Sequence, residues 1–182
     1  SRARLDVMTG DPSRPLAPAT RLVGSGRPPR SPGASVSPEL AMTSTYVAGG
    51  DVNYARVGNP TWSAFETTLA ALEGDDSTRA LAFASGMGAI SATLSLLPHG
   101  GTVLAPRHFY NGTSGLLETW VASGRARLVR IDLSDTSAVE RALTDGVDVV
   151  WIESPANPTL ETCDVAAVTR CAHAAGALVV ED

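Results

Sequence analysis

The sequence predicts an α/β fold, a mainly parallel sheet with helices on both faces, preceded by an extended N-terminal arm. Three observations predict it. From Thr61 onward, short apolar runs alternate with helical patterns, the arrangement that right-handed crossovers convert into a parallel sheet covered on both sides. Residues 1 to about 50 are rich in Pro, Gly, Ser and Arg ("SRPLAPATRLVGSGRPPRSPGASVSP") and show no apolar period, which reads as an arm lying on something else. The composition, 43% hydrophobic and 18% charged over 182 residues, is that of a globular chain able to bury a core. The arm is placed over 1–60 and the α/β unit over 61–182.

Composition also excludes function classes. A net charge of −5 without a basic cluster argues against a nucleic-acid partner. No apolar run approaches the roughly 20 residues of a membrane helix, and a cytoplasmic location is expected. Cys163 and Cys171 stand eight apart in a helical pattern without CxxC spacing, so packed thiols are expected rather than a disulfide or a metal site. All 14 basic residues are arginine; there is no lysine. The chain begins without methionine and without an apolar signal segment, which suits a processed end or a domain cut from a longer polypeptide.

The elements follow in order. "SAFETTLAALEG" has Ser63 and Glu66 at capping-box spacing, Phe65, Leu69 and Leu72 on one face, and Gly74 as a stop, predicting a helix. "RALAFA" (79–84) reads as a buried strand, "GMGAISATLSLL" as a helix ended by Pro98, and "TVLAP" (102–106) as the next strand. "NGTSGLLETWVASG" is helical, "ARLVRI" (126–131) a strand, "DTSAVERAL" a helix capped by Asp135, and "VDVVWIE" (147–153) a strand. A last helix, capped by Asp164 and stopped at Gly176, leads into the strand "ALVVED".

Ligands of such sheets bind beyond the carboxyl ends of the strands, so the residues there are read for chemistry. After "RALAFA", Ser85, Gly86, Met87 and Gly88 open a helix whose free amides make an anion cradle suited to phosphate; the same small residues also serve tight strand-to-helix packing. "GMGAIS" nearly fits the dinucleotide glycine fingerprint, but the next strand ends in Pro106-Arg107 rather than in a ribose-binding acid, leaving an NADP-type reductase as a rival. After "TVLAP" come Arg107, His108, Phe109 and Tyr110; Tyr110 could stack on a flat ring or exchange protons, or pack the sheet's rim. "SPANPT" fixes Asn157 in a Pro-rich turn, either as turn chemistry or as a hydrogen-bonding group. "ALVVED" ends in Glu181 and Asp182 on opposite sides of the strand, where one carboxylate could pair with a ring nitrogen or both could simply be solvated. "YARVGNPTW" (54–62) puts a phenol and a guanidinium on the lip of a turn, where neither helps a core.

The ordered set "YARVGNPTW", "FASGMGAI", "HFYNGT", "ESPANPT", "GALVVED" resembles the Cys/Met-metabolism family of pyridoxal-phosphate (PLP) enzymes: cystathionine γ-synthases, cystathionine and methionine γ-lyases and their sulfhydrylase relatives. The match runs from about Thr43 to Asp182. It implies PLP fold type I, and a homo-oligomer, a dimer or a dimer of dimers, in which Tyr54 and Arg56 hold the cofactor phosphate of a neighbouring chain, as a phenol and a fork-shaped guanidinium can. By the same resemblance Ser85, Gly86 and Met87 bind that phosphate from the home subunit, Tyr110 stacks on the pyridine ring and acts in proton transfer, Asn157 hydrogen-bonds the phenolic oxygen, and Asp182 pairs with the pyridinium nitrogen so that the ring works as an electron sink. Glu181 stands where many relatives are apolar and has no account.

Family members hold the cofactor through a lysine that also shuttles protons, and in relatives it lies after the strand ending at Asp182. The chain is thus expected to be the N-terminal half of a catalytic unit, or a catalytically dead piece. Cystathionine-handling members often carry an arginine five residues after the stacking tyrosine; here that position is Gly115. The resemblance therefore implies a C–S lyase acting on a sulfur amino acid by β- or γ-elimination, with γ-replacement (cystathionine γ-synthase or O-acylhomoserine sulfhydrylase) as the alternative. A lyase domain within a larger biosynthetic polypeptide, and a non-catalytic half-domain that lends Tyr54 and Arg56 to a partner, are further alternatives.

Overall fold

The core of the fold is a sheet of four parallel strands: β1 (Gly101–Pro106), β2 (Ala126–Ile131), β3 (Val149–Ile152) and β4 (Leu178–Glu181), in the order β2-β1-β3-β4. The structure is a computed structural model that describes residues 16–74 and 78–182. The chain divides between Ala82 and Phe83 into two compact units, and the sheet belongs to the second.

Four helices cover this sheet: α3 (Gly86–Leu94), α4 (Asn111–Ala122), α5 (Thr136–Leu143) and α6 (Val165–Ala174). Strand alternation sends neighbouring side chains to opposite faces. Val103, Ala105, Val149 and Trp151 pack with Ile90, Leu94 and Leu117 of α3 and α4. Leu104, Val150 and Ile152 pack with Val139, Leu143, Val168 and Ala172 of α5 and α6. Both faces of β1 and β3 are therefore buried, which explains their continuous apolar runs.

Local signals set most boundaries. Asp135 and Asp164 accept from the amides of Ala138 (3.0 Å) and Ala167 (2.9 Å), capping α5 and α6 as their sequences predict. Gly176 follows α6 with φ of +79°, a conformation that favours glycine. α3 stops short of Pro98: the Leu96 and Leu97 amides turn back to the carbonyls of Thr93 and Leu94, the tighter 3₁₀ pattern.

"RALAFA" (79–84) differs from expectation. Among the described residues this apolar run pairs with no strand, and Leu81 and Phe83 stay 76% and 46% exposed. Apolar texture gives a segment strand potential, but the ladder needs a neighbour.

The first unit contains α1 (Pro18–Gly24) and α2 (Pro60–Glu73). α1 lies inside the stretch expected to be extended; Pro18 presets its first turn, and Arg21 Nη1 donates to the Ala71 carbonyl of α2 at 2.8 Å. α2 starts earlier than the Ser63/Glu66 box implies. Its cap is buried Asn59, whose side chain accepts from the Thr61 amide at 2.8 Å and donates to the Ala41 carbonyl at 3.1 Å, and Pro60 follows as first helical residue. Glu66 accepts instead from the Ala82 amide at 2.8 Å. Gly74 ends the helix as expected.

Cys163 and Cys171 are free and half-buried, and burial pushes the Cys163 thiol above its ordinary range. Among the described residues no group of His, Cys, Asp and Glu could hold a metal ion, and no helix is long and apolar enough to cross a membrane.

Candidate functional site

The strand order locates a crevice. From β1 the chain passes through α4 to β2 on one side, then returns through α5 to β3 on the other side of β1. Connections therefore diverge at the carboxyl ends of β1 and β3, the topological switch point where open α/β sheets bind ligands. Tyr110 follows β1, Asn157 follows β3 and Asp182 follows β4.

Of the rings in the cluster after β1, those of His108 and Tyr110 stay accessible, and the His108 ring is engaged by an acid. Phe109 is buried in the core with the Arg130 guanidinium 4.9 Å from its ring centroid, and His108 Nδ1 lies 3.2 Å from Glu161 Oε2. The Tyr110 ring is 40% exposed, while its amide donates to Glu153 Oε2 at 2.7 Å. A Cβ on Gly112 would lie 2.5 Å from Tyr110 Cε1 and 2.8 Å from Met87 Sδ. Only a residue without a side chain lets the ring lie there, and the same contact brings Met87 beside Tyr110.

At the start of α3, the Ser85 hydroxyl accepts from the Gly88 amide at 3.1 Å and caps the helix. The Gly86 and Met87 amides are in the first turn, where no helical carbonyl can take them, and they meet the positive end of the dipole. Nothing lies within 4 Å of a Cβ built on Gly86, so this helix start is open to an approaching anion.

Asn157 is exposed between two cis peptide bonds, Ser154-Pro155 and Asn157-Pro158, and its amide donates to Glu153 Oε1 at 2.6 Å. The Asp182 amide donates to the Ile152 carbonyl at 2.9 Å, which continues the β3–β4 ladder one residue past Glu181. Burial first, and then the negative charge of Glu153, push the Asp182 carboxyl above the usual range. Among the described residues no cation pairs with Asp182 or Glu153. Glu181 is exposed, and nothing in the structure explains it.

Contacts thus run from Met87 across Gly112 to Tyr110 and through Glu153 to Asn157, and the charge of Glu153 reaches the Asp182 carboxyl. Tyr54 and Arg56 belong to the first unit. There an isolated antiparallel bridge joins Thr45 to Tyr54, the Tyr54 carbonyl accepts from the amides of Val57 and Gly58, and the exposed Arg56 guanidinium sits 5.1 Å from the Tyr54 ring centroid. Glu153 and Gly112 escape sequence reading: an acid ending a strand resembles a solvated one, and a glycine early in a helix resembles a poor helix former. The signal that could have found Glu153 is its place, directly after the uninterrupted apolar run of β3.

A parallel sheet with helices on both faces and a crevice at its switch point is the arrangement of the PLP-dependent enzymes of fold type I. A family model described as "Cys/Met metabolism PLP-dependent enzyme" matches residues 19–182. The chain belongs to the Cys/Met-metabolism family of PLP-dependent enzymes. It is 35% identical over 178 residues to L-methionine gamma-lyase of Pseudomonas putida, covering 90% of this chain and 44% of that protein. It is 34% identical to a probable cystathionine gamma-synthase of Herpetosiphon aurantiacus, covering 90% of this chain and 52% of that protein. Among solved structures, it matches cystathione gamma lyase (CalE6) of Micromonospora echinospora at a TM-score of 0.83 and 36% identity, covering 92% of this chain and 45% of that one. The chain spans about half the length of the curated relatives it matches.

The residues present fit the family's cofactor. A phosphate suits the open amides of Gly86 and Met87, and a protonated ring nitrogen suits a partly desolvated acid that has no cation of its own.

Proposed function

We propose that the whole protein is a carbon–sulfur lyase acting on a sulfur amino acid (cysteine, methionine, cystathionine or an S-conjugate) by β- or γ-elimination. Gly115 carries the choice of lyase over synthase. It stands five residues after Tyr110, nothing lies within 4 Å of a Cβ built there, and the position offers no guanidinium to a distal substrate carboxylate. Cysteine and methionine, which lack that carboxylate, lose nothing by its absence, so Gly115 favours them over cystathionine, which carries it. The L-methionine gamma-lyase of Pseudomonas putida among the relatives supports the same class.

When bound, pyridoxal phosphate supplies the electron sink for a carbanion at Cα. The amides of Gly86 and Met87, with the hydroxyl of Ser85 beside them, bind its phosphate. Tyr110 stacks on the ring and moves a proton during sulfur departure; Asn157 donates to the phenolic oxygen; Asp182 holds the proton on the ring nitrogen. Tyr54 and Arg56 serve the phosphate of a neighbouring subunit in a homo-oligomer, a dimer of dimers. None of the 182 residues is a lysine, so the lysine such a site uses would come from outside them. The reaction breaks the substrate's Cα–H and C–S bonds; the sulfur leaves as sulfide or a thiol, or as a persulfide where the S-conjugate is itself a disulfide, and water converts the remaining carbon skeleton to a keto acid and ammonia.

The deciding assay offers the holoenzyme L-cysteine, L-methionine and cystathionine singly, and L-cysteine together with an O-acylhomoserine. Release of pyruvate or 2-oxobutyrate with a thiol should outpace formation of cystathionine; the reverse order would sink the lyase reading.

Gly112→Ala should separate site from fold. The added methyl meets the outer edge of a partly exposed ring that can swing away, so the urea midpoint should barely move. The displaced Tyr110 should nonetheless lower kcat by about ten- to a hundredfold, the usual effect of a misplacement near 1 Å. A large loss of stability with kcat intact would refute the ring's role.

A further inference from the structure

We propose that Glu153 is a positioning residue: its carboxylate fastens, from beneath, the two loops that present Tyr110 and Asn157 to the cofactor. The proposal rests on the roles given above to those two residues.

Glu153 follows the last residue of β3 and is 7% exposed. Its two oxygens are divided between two loops. Oε2 accepts from the Tyr110 amide at 2.7 Å, 43 residues away in sequence, and Oε1 accepts from the Asn157 amide at 2.6 Å. The β1 and β3 loops flank the switch point, so one side chain spans the crevice floor and ties both walls. Both bonds are charge-assisted and short, hence stiffer than neutral ones. Each ends on the backbone of a site residue and leaves the Tyr110 ring and the Asn157 amide group free above.

Glu153 lines a cavity of about 20 Å³ whose walls include Pro106, Arg107, Asp132, Glu161 and Cys163, room for about one water molecule and not for an amino acid. It therefore acts through its neighbours rather than on substrate. Simple stability is a poor reason to retain it: among the described residues no cation is in ion-pair contact with this buried acid, which makes its charge costly, and that charge disfavours ionisation of Asp182. What no apolar side chain of the same size can do is accept from both amides at once.

Glutamine tests this division, because it keeps the shape but offers one acceptor and one donor, so one of the two amides must face a donor. The holoenzyme and its Glu153→Gln variant are compared by amide hydrogen exchange in peptides spanning 107–113 and 154–160, by visible circular dichroism of the bound cofactor, and by kcat and KM. Exchange in at least one of the two peptides should quicken about tenfold, with β1 and β3 protected as before. The cofactor dichroism should change, and kcat should fall about tenfold or more with a smaller change in KM. Should Glu153→Gln fail to accumulate folded, Glu153→Asp replaces it: both oxygens and the charge remain but are drawn back by one methylene, and a smaller change of the same pattern is expected.

Unchanged exchange in both peptides would overturn the proposal, as would acceleration spread evenly over all four strands. Faster loop exchange with unaltered dichroism and kcat would also overturn it, reducing Glu153 to a satisfied buried acid. The exchange and dichroism readouts need no turnover, so a protein that proves not to be a lyase would fail in the product assay while the clamp is still tested here.

Discussion

Asp182→Asn is expected to lower kcat/KM of the holoenzyme by about 10² to 10³ while leaving the cofactor-free protein at least as stable as before. The two effects have opposite signs because one carboxylate has two environments. Without cofactor, the Asp182 carboxyl is pushed above its ordinary range, by burial first and by the charge of Glu153 second. A raised acid is easier to ionise in the unfolded chain than in the folded one. Its ionised form therefore opposes folding at pH above the raised value, and that opposition disappears as pH falls through it. Asparagine removes the opposition at every pH. Stability of the cofactor-free protein should accordingly rise as pH is lowered from neutral toward the carboxylate range, and that part of the rise should be missing in Asp182→Asn. In the site proposed above, the same carboxylate would meet the ring nitrogen, and a preorganised charge aimed at a site of developing charge is the kind of group whose removal costs about 10² to 10³ in rate. Urea unfolding of the cofactor-free forms between pH 4 and 8, set beside steady-state kinetics, reads both effects. A variant that loses stability and activity in parallel would show Asp182 to be structural.

Legibility from sequence followed the range of the interactions involved. Asp135 and Asp164 cap helices through amides three residues away, and the run 126–131 forms the strand it spells, because these signals lie within one turn or one alternation. The Ser63/Glu66 pair had the right spacing but lost to Asn59 and Pro60, where a buried cap tied to Ala41 starts the helix earlier. α1 escaped notice in a Pro-rich stretch because its tie to the fold, Arg21 to Ala71, crosses 50 residues. The run 79–84 shows the opposite failure, since a strand-like texture cannot supply its own neighbour. The candidate site followed the same pattern. The placement of Tyr110, Asn157 and Asp182 after strands is legible, and strand ends are where a parallel sheet presents ligands, which makes them candidates. Glu153 and Gly112 act on residues brought near by folding: one through the Tyr110 amide, the other by the space it leaves for the Tyr110 ring.

Leu104→Ala is expected to destabilise the fold by about 3–5 kcal/mol, a large share of the roughly 5–15 kcal/mol that holds a typical domain together. Leu104 lies on β1, between β2 and β3, is 0% exposed, and packs among Val139, Val150, Ile152 and Val168. The sheet has neighbours on both sides there and helices on both faces, so little can collapse into the space left, and unrelieved cavities mark the upper end of the known range. Leu96, 67% exposed just past α3, is the internal control: Leu96→Ala should cost no more than about 0.5 kcal/mol. Urea midpoints of the two variants at equal slope give the comparison, and similar shifts for both would contradict the placement of β1 at the centre. The consequence reaches the site, because β1 delivers Tyr110 at its carboxyl end and β3 delivers Glu153 at its own. A loosened strand pair would slacken the crevice floor from below. Leu104→Ala should therefore bind pyridoxal phosphate more weakly than Leu96→Ala even where both remain folded, although Leu104 packs on the α5 and α6 side, away from the side chains of the site.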